Sequence, residues 1–172
     1  MSFSTRISLQ WLPEPASEET STYVLTTPGN NFVDIRINKD FYPISQRENS
    51  AAESEKVSSW VSTGVEDAVK GTEEIRFILN IDSLEVWESQ KTGKPLSECR
   101  RAPDLGFFYE IPDSLDRKET GNMVNPATGV STVYFEIWRS LDPAAHSPTP
   151  EVREQATQLY FEAQPFVLDM DQ

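Results

Sequence analysis

The chain has 172 residues, with 15 lysines and arginines against 28 aspartates and glutamates, and its formal net charge is −13. This length fits one ordinary domain. Nucleic-acid binders and proteins that adhere to anionic membranes carry a basic face, so the acidic composition argues against both classes. No apolar run approaches the ~20 residues of a transmembrane helix, and we therefore expect no membrane span.

Cysteine and histidine are almost absent. The single Cys99 cannot form an internal disulfide, and the N-terminal residues lack the apolar segment of a signal peptide. Both observations predict a cytoplasmic protein. One cysteine and one histidine, His146, argue against zinc fingers and histidine-based metal centres, and no Gly-rich phosphate motif is present. We expect neither a metal nor a cofactor.

Alternation of apolar and polar residues predicts most of the strands. The first covers residues 3–11, where Phe3, Ile7, Leu9 and Trp11 share one parity. The next two predicted strands form a hairpin around the turn at 28–31. The predicted strands after the first cover residues 22–27, 32–38, 57–63, 72–82, 84–88, 105–111, 118–124 and 131–139.

Polar and proline-rich segments separate these strands. We predict long loops at 44–58 and 89–104 and a short helical turn at 64–70, and the tail at 142–172 is open to helix or strand. About nine or ten short strands without long amphipathic helices predict one all-β domain over residues 1–172, a barrel or a sandwich. A closed barrel of this strand number can hold one small ligand.

One strand places an acid and a base on the same face. Period two puts Phe32, Asp34 and Arg36 on one side and Val33 and Ile35 on the other. If the aliphatic side faces the core, the charged pair faces water, which is the commoner arrangement. In the opposite arrangement Arg36 lies in a cavity, where it would hold a carbonyl, enolate or carboxylate.

A second strand places a glutamate between two aromatic residues. Tyr134, Glu136 and Trp138 share one face of the segment 133–139. Apolar neighbours would raise the pKa of Glu136 toward the range that suits acid–base catalysis. The alternative is a surface glutamate whose neighbours are covered by the tail of the chain.

Several blocks of the sequence, in order and spacing, resemble the fungal Hri-one family of lipocalin-like proteins. The resemblance covers roughly residues 5–140. This chain departs from the family in its shorter length, and in a less apolar segment between Trp60 and Gly64. The blocks are Arg6-Ile-Ser-Leu-Gln-Trp-Leu-Pro13, Val24-Leu25, Phe32-Val-Asp-Ile-Arg36, Trp60 with Gly64, Glu119–Gly129 and Tyr134-Phe-Glu-Ile-Trp-Arg139.

The resemblance implies a lipocalin-like antiparallel β-barrel of about nine or ten strands with one or two short helices. The family's yeast representative is a kinase-interacting protein with two barrel-like halves, and the short chain leaves no room for a second barrel after residue 140. Compact relatives of ligand-binding barrels act in fungal secondary-metabolite pathways as cofactor-free isomerases or cyclases. This last implication is an analogy at the level of the fold.

Two functional hypotheses follow. The first is a small-molecule-binding barrel that acts as a cofactor-independent isomerase or cyclase on an apolar secondary-metabolite intermediate. The second is a non-catalytic acidic adaptor for a protein partner such as a kinase. An open lumen with a carboxylate and an arginine would favour the first, and a lumen packed solid the second.

The oligomeric state is left open, a homodimer included. The candidate site residues of the first hypothesis fall into two groups. The catalytic candidates are Glu136, Asp34, Arg36 and Tyr134, and the ligand-binding candidates are Trp60, Trp138, Tyr109, Phe32 and Glu119.

Overall fold

The computed structural model describes residues 2–41 and 57–142. In this part of the chain, eight strands close into one antiparallel barrel in sequence order, with the last strand paired to the first. The predicted all-β barrel is confirmed, with eight strands in place of nine or ten. The strands are β1 (Ser2–Trp11), β2 (Thr20–Thr26), β3 (Asn31–Asn38), β4 (Ser58–Ala68), β5 (Glu74–Asp82), β6 (Asp104–Glu110), β7 (Asp116–Val124) and β8 (Ser131–Ser140).

The barrel lies within the first of two units of the chain, residues 1–140, and the second unit is residues 141–172. The predicted hairpin of β2 and β3 is present, with Thr26 opposite Phe32. Nearly all of the loop predicted at 44–58, and the tail predicted at 142–172 apart from its first residue, lie outside the described residues.

A helix replaces one predicted strand and part of one predicted loop. Residues 84–88 were expected to be extended, but they belong to helix α1 (Ser83–Thr92). The Asp82 side chain accepts a hydrogen bond from the Leu84 N–H, and Gly93 ends the helix with a φ of 71°. These two caps favour the helix, because they provide hydrogen-bond partners for backbone groups at its two ends that the helix itself leaves unpaired.

The helical turn predicted at 64–70 is also wrong. Strand β4 continues to Ala68, because its residues pair with β5 as far as Ile75. Cross-strand hydrogen bonds therefore outweigh the local turn signal. Two short 3-10 helices, Lys39–Phe41 and Leu96–Glu98, complete the described elements.

The barrel is polar inside and apolar outside. On β3, Phe32 and Asp34 are 4% and 6% exposed, whereas Val33 and Ile35 are each 39% exposed. Strand β3 therefore turns its charged face to the lumen, which is the less common of the two arrangements that the sequence allowed. Exposed apolar residues also lie on the outer faces of other strands, namely Tyr23, Leu25, Ile78, Leu105, Phe107, Tyr109 and Val133. Strand β5 differs, because its apolar Phe77 and Leu79 line the lumen.

A β-bulge reverses the parity of β1. Arg6 pairs with Trp138 and Ser8 with Ile137, so Ile7 is the extra residue. Ile7 is 39% exposed on the outside, while Leu9 lies opposite the lumen residue Glu136. The single apolar face expected along β1 is therefore split between the two sides of the barrel wall.

Gly64 makes a close approach between two strands possible. It lies at a register shift between β4 and β5, and a Cβ added there would lie 2.1 Å from the Ile78 carbonyl oxygen. We expect Gly64→Ala to lower the free energy of unfolding by about 1–3 kcal/mol, because the backbone must shift.

Urea denaturation would measure this loss. The matched control is Gly29→Ala, where the new Cβ would have its nearest neighbour at an ordinary 3.5 Å. The control should stay within about 0.5 kcal/mol of the parent. Equal stability of the two variants would contradict the close packing at Gly64.

Candidate functional site

Two glutamates face each other inside the barrel. Glu119 on β7 is the direct cross-strand partner of Glu136 on β8, and their residues are 5% and 2% exposed. Two negative charges placed directly opposite each other in a buried site repel strongly. The two carboxyl groups have different partners: Glu136 forms an ion pair, whereas Glu119 accepts hydrogen bonds from neutral side chains.

Glu136 is ion-paired with Arg6. The Arg6 Nη1 atom lies 2.6 Å from Glu136 Oε1, and its Nε atom lies 2.6 Å from Glu18 Oε2. Arg6 Nη2 also donates to the Thr20 hydroxyl at 3.0 Å. Burial alone would raise the pKa of Glu18, but the bonds from Arg6 and Thr20 outweigh it and hold that pKa below its usual value.

Glu119 accepts hydrogen bonds only from neutral donors within the part of the chain that the structure describes. The Tyr134 hydroxyl and the Trp138 indole N–H each donate to its carboxyl group at 2.8 Å. Burial and the charge of Glu136 raise the pKa of Glu119 well above its ordinary value, against the lowering effect of these bonds. Burial and the adjacent Glu119 also raise the pKa of Tyr134, so its phenol keeps its proton.

Two strand glycines leave room for this group. A Cβ on Gly106 would lie 2.5 Å from Glu119 Oε1, and one on Gly121 would lie 2.8 Å from the Tyr134 hydroxyl oxygen. Any side chain at either position would displace the tyrosine–glutamate pair. A glycine inside a strand often marks such a close approach.

On the opposite wall, Asp34 and Arg36 form a second ion pair. The Arg36 Nε and Nη2 atoms donate to Asp34 Oδ2 at 3.0 and 2.7 Å. The Arg36 guanidinium also stacks 4.3 Å from the ring centroid of Trp60. Burial works against its charge, but the carboxylates of Asp34 and Glu136 outweigh it and raise the pKa of Arg36.

Trp60 is positioned by a hydrogen bond to Asp82, the last residue of β5. Its indole N–H donates to Asp82 Oδ1 at 2.8 Å, the same oxygen that caps helix α1. The other oxygen, Asp82 Oδ2, is buried without a hydrogen-bond partner. Its partner in an ion pair is Arg101 Nη1, at 3.9 Å. Asp82 thus links helix α1 to the aromatic wall of the lumen.

An open cavity lies between the two walls. Its volume is about 50 Å³, enough for about four water molecules. Asp104 also lines it, and burial raises the pKa of this carboxyl group. The lining residues are Ser4, Val24, Phe32, Asp34, Arg36, Trp60, Ser62, Glu66, Phe77, Leu79, Asp104, Phe108, Arg117, Glu119 and Trp138.

The structure brings nearly all the sequence-predicted site residues to the lumen face. Glu136 and Tyr134 lie on this face beside the cavity wall, and the exception is Tyr109, which is 47% exposed on the outer face of β6. Tyr109 cannot line the lumen, because side chains alternate along β6 and Gly106 and Phe108 are the residues that face inward. The predicted residues that line the cavity are Asp34, Arg36, Trp60, Trp138, Phe32 and Glu119.

Several residues of the site are not among the sequence-predicted ones, and Arg6, Glu18, Asp104 and Phe108 are examples. Arg6 pairs with Glu136, which lies 130 residues away in the chain. No local sequence pattern indicates this contact. One sequence feature that could have pointed to the site is a glycine within a strand. Gly106, within β6, pointed to a side chain from a neighbouring strand in close approach, which the structure identifies as that of Glu119.

Within residues 2–41 and 57–142, no three metal-binding side chains cluster. No helix in these ranges has the length and apolar character needed to cross a membrane.

The fold and the lumen together define a small closed antiparallel barrel with a charged interior. A family model described as Protein HRI1 matches residues 2–172, and the chain belongs to this family. The predicted family resemblance is thereby confirmed. No curated protein sequence matches the chain.

A solved structure shares the fold. It is the crystal structure of an uncharacterized protein, YLR301w, from Saccharomyces cerevisiae, with a TM-score of 0.57 and 18% sequence identity. The similarity covers 83% of this chain and 54% of the yeast chain. This chain therefore corresponds to about half the length of its structural relative.

The first prediction for this site concerns Arg6. Arg6→Met leaves Glu136 and Glu18 buried without a cation, and we expect the free energy of unfolding to fall by about 3–5 kcal/mol. Urea denaturation would measure the loss. The control is Arg76→Met, which breaks the pair with Glu74 on the outer face and should cost about 1 kcal/mol or less.

Arg6→Lys should lie between the two variants, because it keeps the charge but loses the fork that reaches both carboxylates. An Arg6→Met protein as stable as the Arg76→Met control would contradict the structural role of this ion pair.

The second prediction concerns the pH dependence of stability. The folded-state pKa of Glu119 is raised, so its favourable contribution is complete below about pH 4.3 and declines as the pH rises toward the folded-state pKa. Glu119→Gln removes this decline. The stability of the parent relative to this variant should therefore fall with pH, by up to about 1.4 kcal/mol per unit.

Urea unfolding between about pH 5 and pH 8 tests the sign and the slope. Glu74→Gln on the outer face reports any general effect of removing a carboxylate. Parallel stability profiles for the parent and Glu119→Gln would contradict a raised pKa of the buried Glu119.

Proposed function

We propose that this protein is a small-molecule-binding barrel whose lumen holds a small polar ligand. The observation that carries the proposal is the open cavity lined by Asp34, Arg36, Asp104 and Glu119. Ligand sites in barrels combine apolar walls with a few placed polar groups. A lumen packed solid would have favoured the adaptor hypothesis, and an open lumen with carboxylates and an arginine supports ligand binding.

Size and lining both constrain the ligand. A space for about four water molecules limits the ligand to a compound of few heavy atoms. The buried charges must keep polar partners, because an apolar ligand would leave them desolvated and unpaired. The cavity therefore supports a small polar ligand better than the apolar secondary-metabolite intermediate expected from the sequence.

A second candidate function, a cofactor-independent isomerase, is favoured by one observation. Glu119 carries a raised pKa and accepts a hydrogen bond from Tyr134. A carboxyl group whose pKa is raised by burial can give a proton to a substrate and take one back from another position more readily than an exposed one. In this version Glu119 is the proton-transfer residue, because Glu136 is engaged by Arg6. Arg36 would stabilise developing negative charge.

Native mass spectrometry of the purified protein with a mixture of small metabolites tests the proposal. We expect a retained mass, and a substantially weaker complex with Glu119→Gln, because that carboxyl group lines the cavity. The Glu74→Gln control on the outer face should bind like the parent. Conversion of a retained compound into an isomer of equal mass, seen by chromatography, would support the catalytic version.

A protein that retains no small molecule from either a defined metabolite mixture or a fungal extract would contradict the proposal. The adaptor hypothesis would then be tested by affinity capture with a defined basic protein partner.

A further inference from the structure

The cavity lining has an excess of negative groups. Four carboxyl groups line it, on Asp34, Glu66, Asp104 and Glu119, against two guanidinium groups, on Arg36 and Arg117. One of the two cations is already matched, because Arg36 forks onto Asp34. A ligand that enters this space therefore meets twice as many carboxyl groups as guanidinium groups.

Among the described residues, no arginine or lysine forms an ion pair with the buried Glu119 within 4.0 Å. The described residues give it two neutral donors, Tyr134 and Trp138, one to each oxygen. An ionised carboxylate offers about four acceptor positions, so about two remain for a ligand. Asp104 lines the same cavity, and no arginine or lysine of the described chain forms an ion pair with it within 4.0 Å.

The aromatic walls of the cavity suit a cation as well. Phe77 packs edge-on against Phe32, with ring centroids 5.6 Å apart, and against Phe108 at 6.1 Å. Two rings of the lining already attract positive charge, because the Arg36 guanidinium lies 4.3 Å from Trp60 and that of Arg117 lies 4.7 Å from Phe108. Aromatic faces combined with carboxylates recognise ammonium groups.

We propose that the ligand of this lumen is a small organic cation, a primary or methylated amine that places its ammonium group against Glu119 and Asp104 and beside the phenylalanine cluster. This inference rests on the proposed ligand-binding function and adds the charge of the ligand to it. A neutral or anionic compound of the same shape would leave Glu119 without a countercharge and is disfavoured.

Isothermal titration calorimetry with matched probes tests the charge directly. The probes are ethylamine, choline, and the uncharged analogue of choline in which a quaternary carbon replaces the nitrogen. We expect at least one of the two cations to bind. We also expect choline to bind about tenfold or more tightly than its uncharged analogue, because a desolvated cation–aromatic contact is worth roughly 1.4 kcal/mol or more.

Two variants locate the site. Glu119→Gln and Asp104→Asn keep the shapes of the side chains and remove their charges, so each should weaken cation binding. The control is Glu74→Gln on the outer face, which should leave it unchanged. Circular dichroism of each variant confirms that the barrel is folded, so that a loss of binding reports the site and not unfolding.

The outcomes separate this inference from the proposed function. Equal binding of choline and its uncharged analogue, or binding only of neutral or anionic metabolites, would overturn the cation inference and leave the ligand-binding barrel standing. Failure of every probe and of the metabolite mixture would overturn both. Cation binding that Glu119→Gln and Asp104→Asn leave unchanged would also overturn the inference, because the cation would lie elsewhere.

Discussion

The barrel depends on the pair of glutamates that face each other across β7 and β8. Glu119 and Glu136 are both buried and directly opposed, an arrangement that is unstable unless one charge is compensated or removed. Arg6 compensates Glu136 from the neighbouring strand. Burial and the charge of Glu136 instead raise the pKa of Glu119, so that its negative charge is the less favoured of the two. The pairing of β1 with β8 therefore places Arg6 beside Glu136, and this arginine supplies the positive charge that the two buried glutamates require.

This constraint explains the inverted character of the barrel wall. Charged and hydroxyl side chains point inward because they satisfy one another there, as in the contacts of Arg6 with Glu18 and Thr20. The aliphatic residues of the strands are left on the outer face, where Ile35 is 39% exposed. The lumen thus resembles a binding site more than a packed core, because ion pairs with fixed geometry leave space between them that apolar side chains would have filled.

The strands could be predicted from the sequence, and their orientation could not. Alternation at 32–38 and 131–139 identified β3 and β8, because period two is a local property of the chain. The same alternation is compatible with either face pointing inward. Tyr109 was therefore placed in the lumen, although it lies outside. The bulge at Ile7 is likewise invisible in the pattern, because only the pairing with β8 reveals the extra residue.

The sequence by itself determined an acidic all-β chain of the Hri-one type and the two strand segments that carry Asp34, Arg36, Tyr134 and Glu136. Composition, alternation and turn residues are local quantities, and they suffice for this. Only the tertiary structure decided that Arg6 meets Glu136 and that Glu119 lies against Gly106, because strand register brings together residues far apart in the chain. The chemistry of the lumen follows from those long-range contacts, since burial and neighbouring charge set the protonation of each carboxyl group.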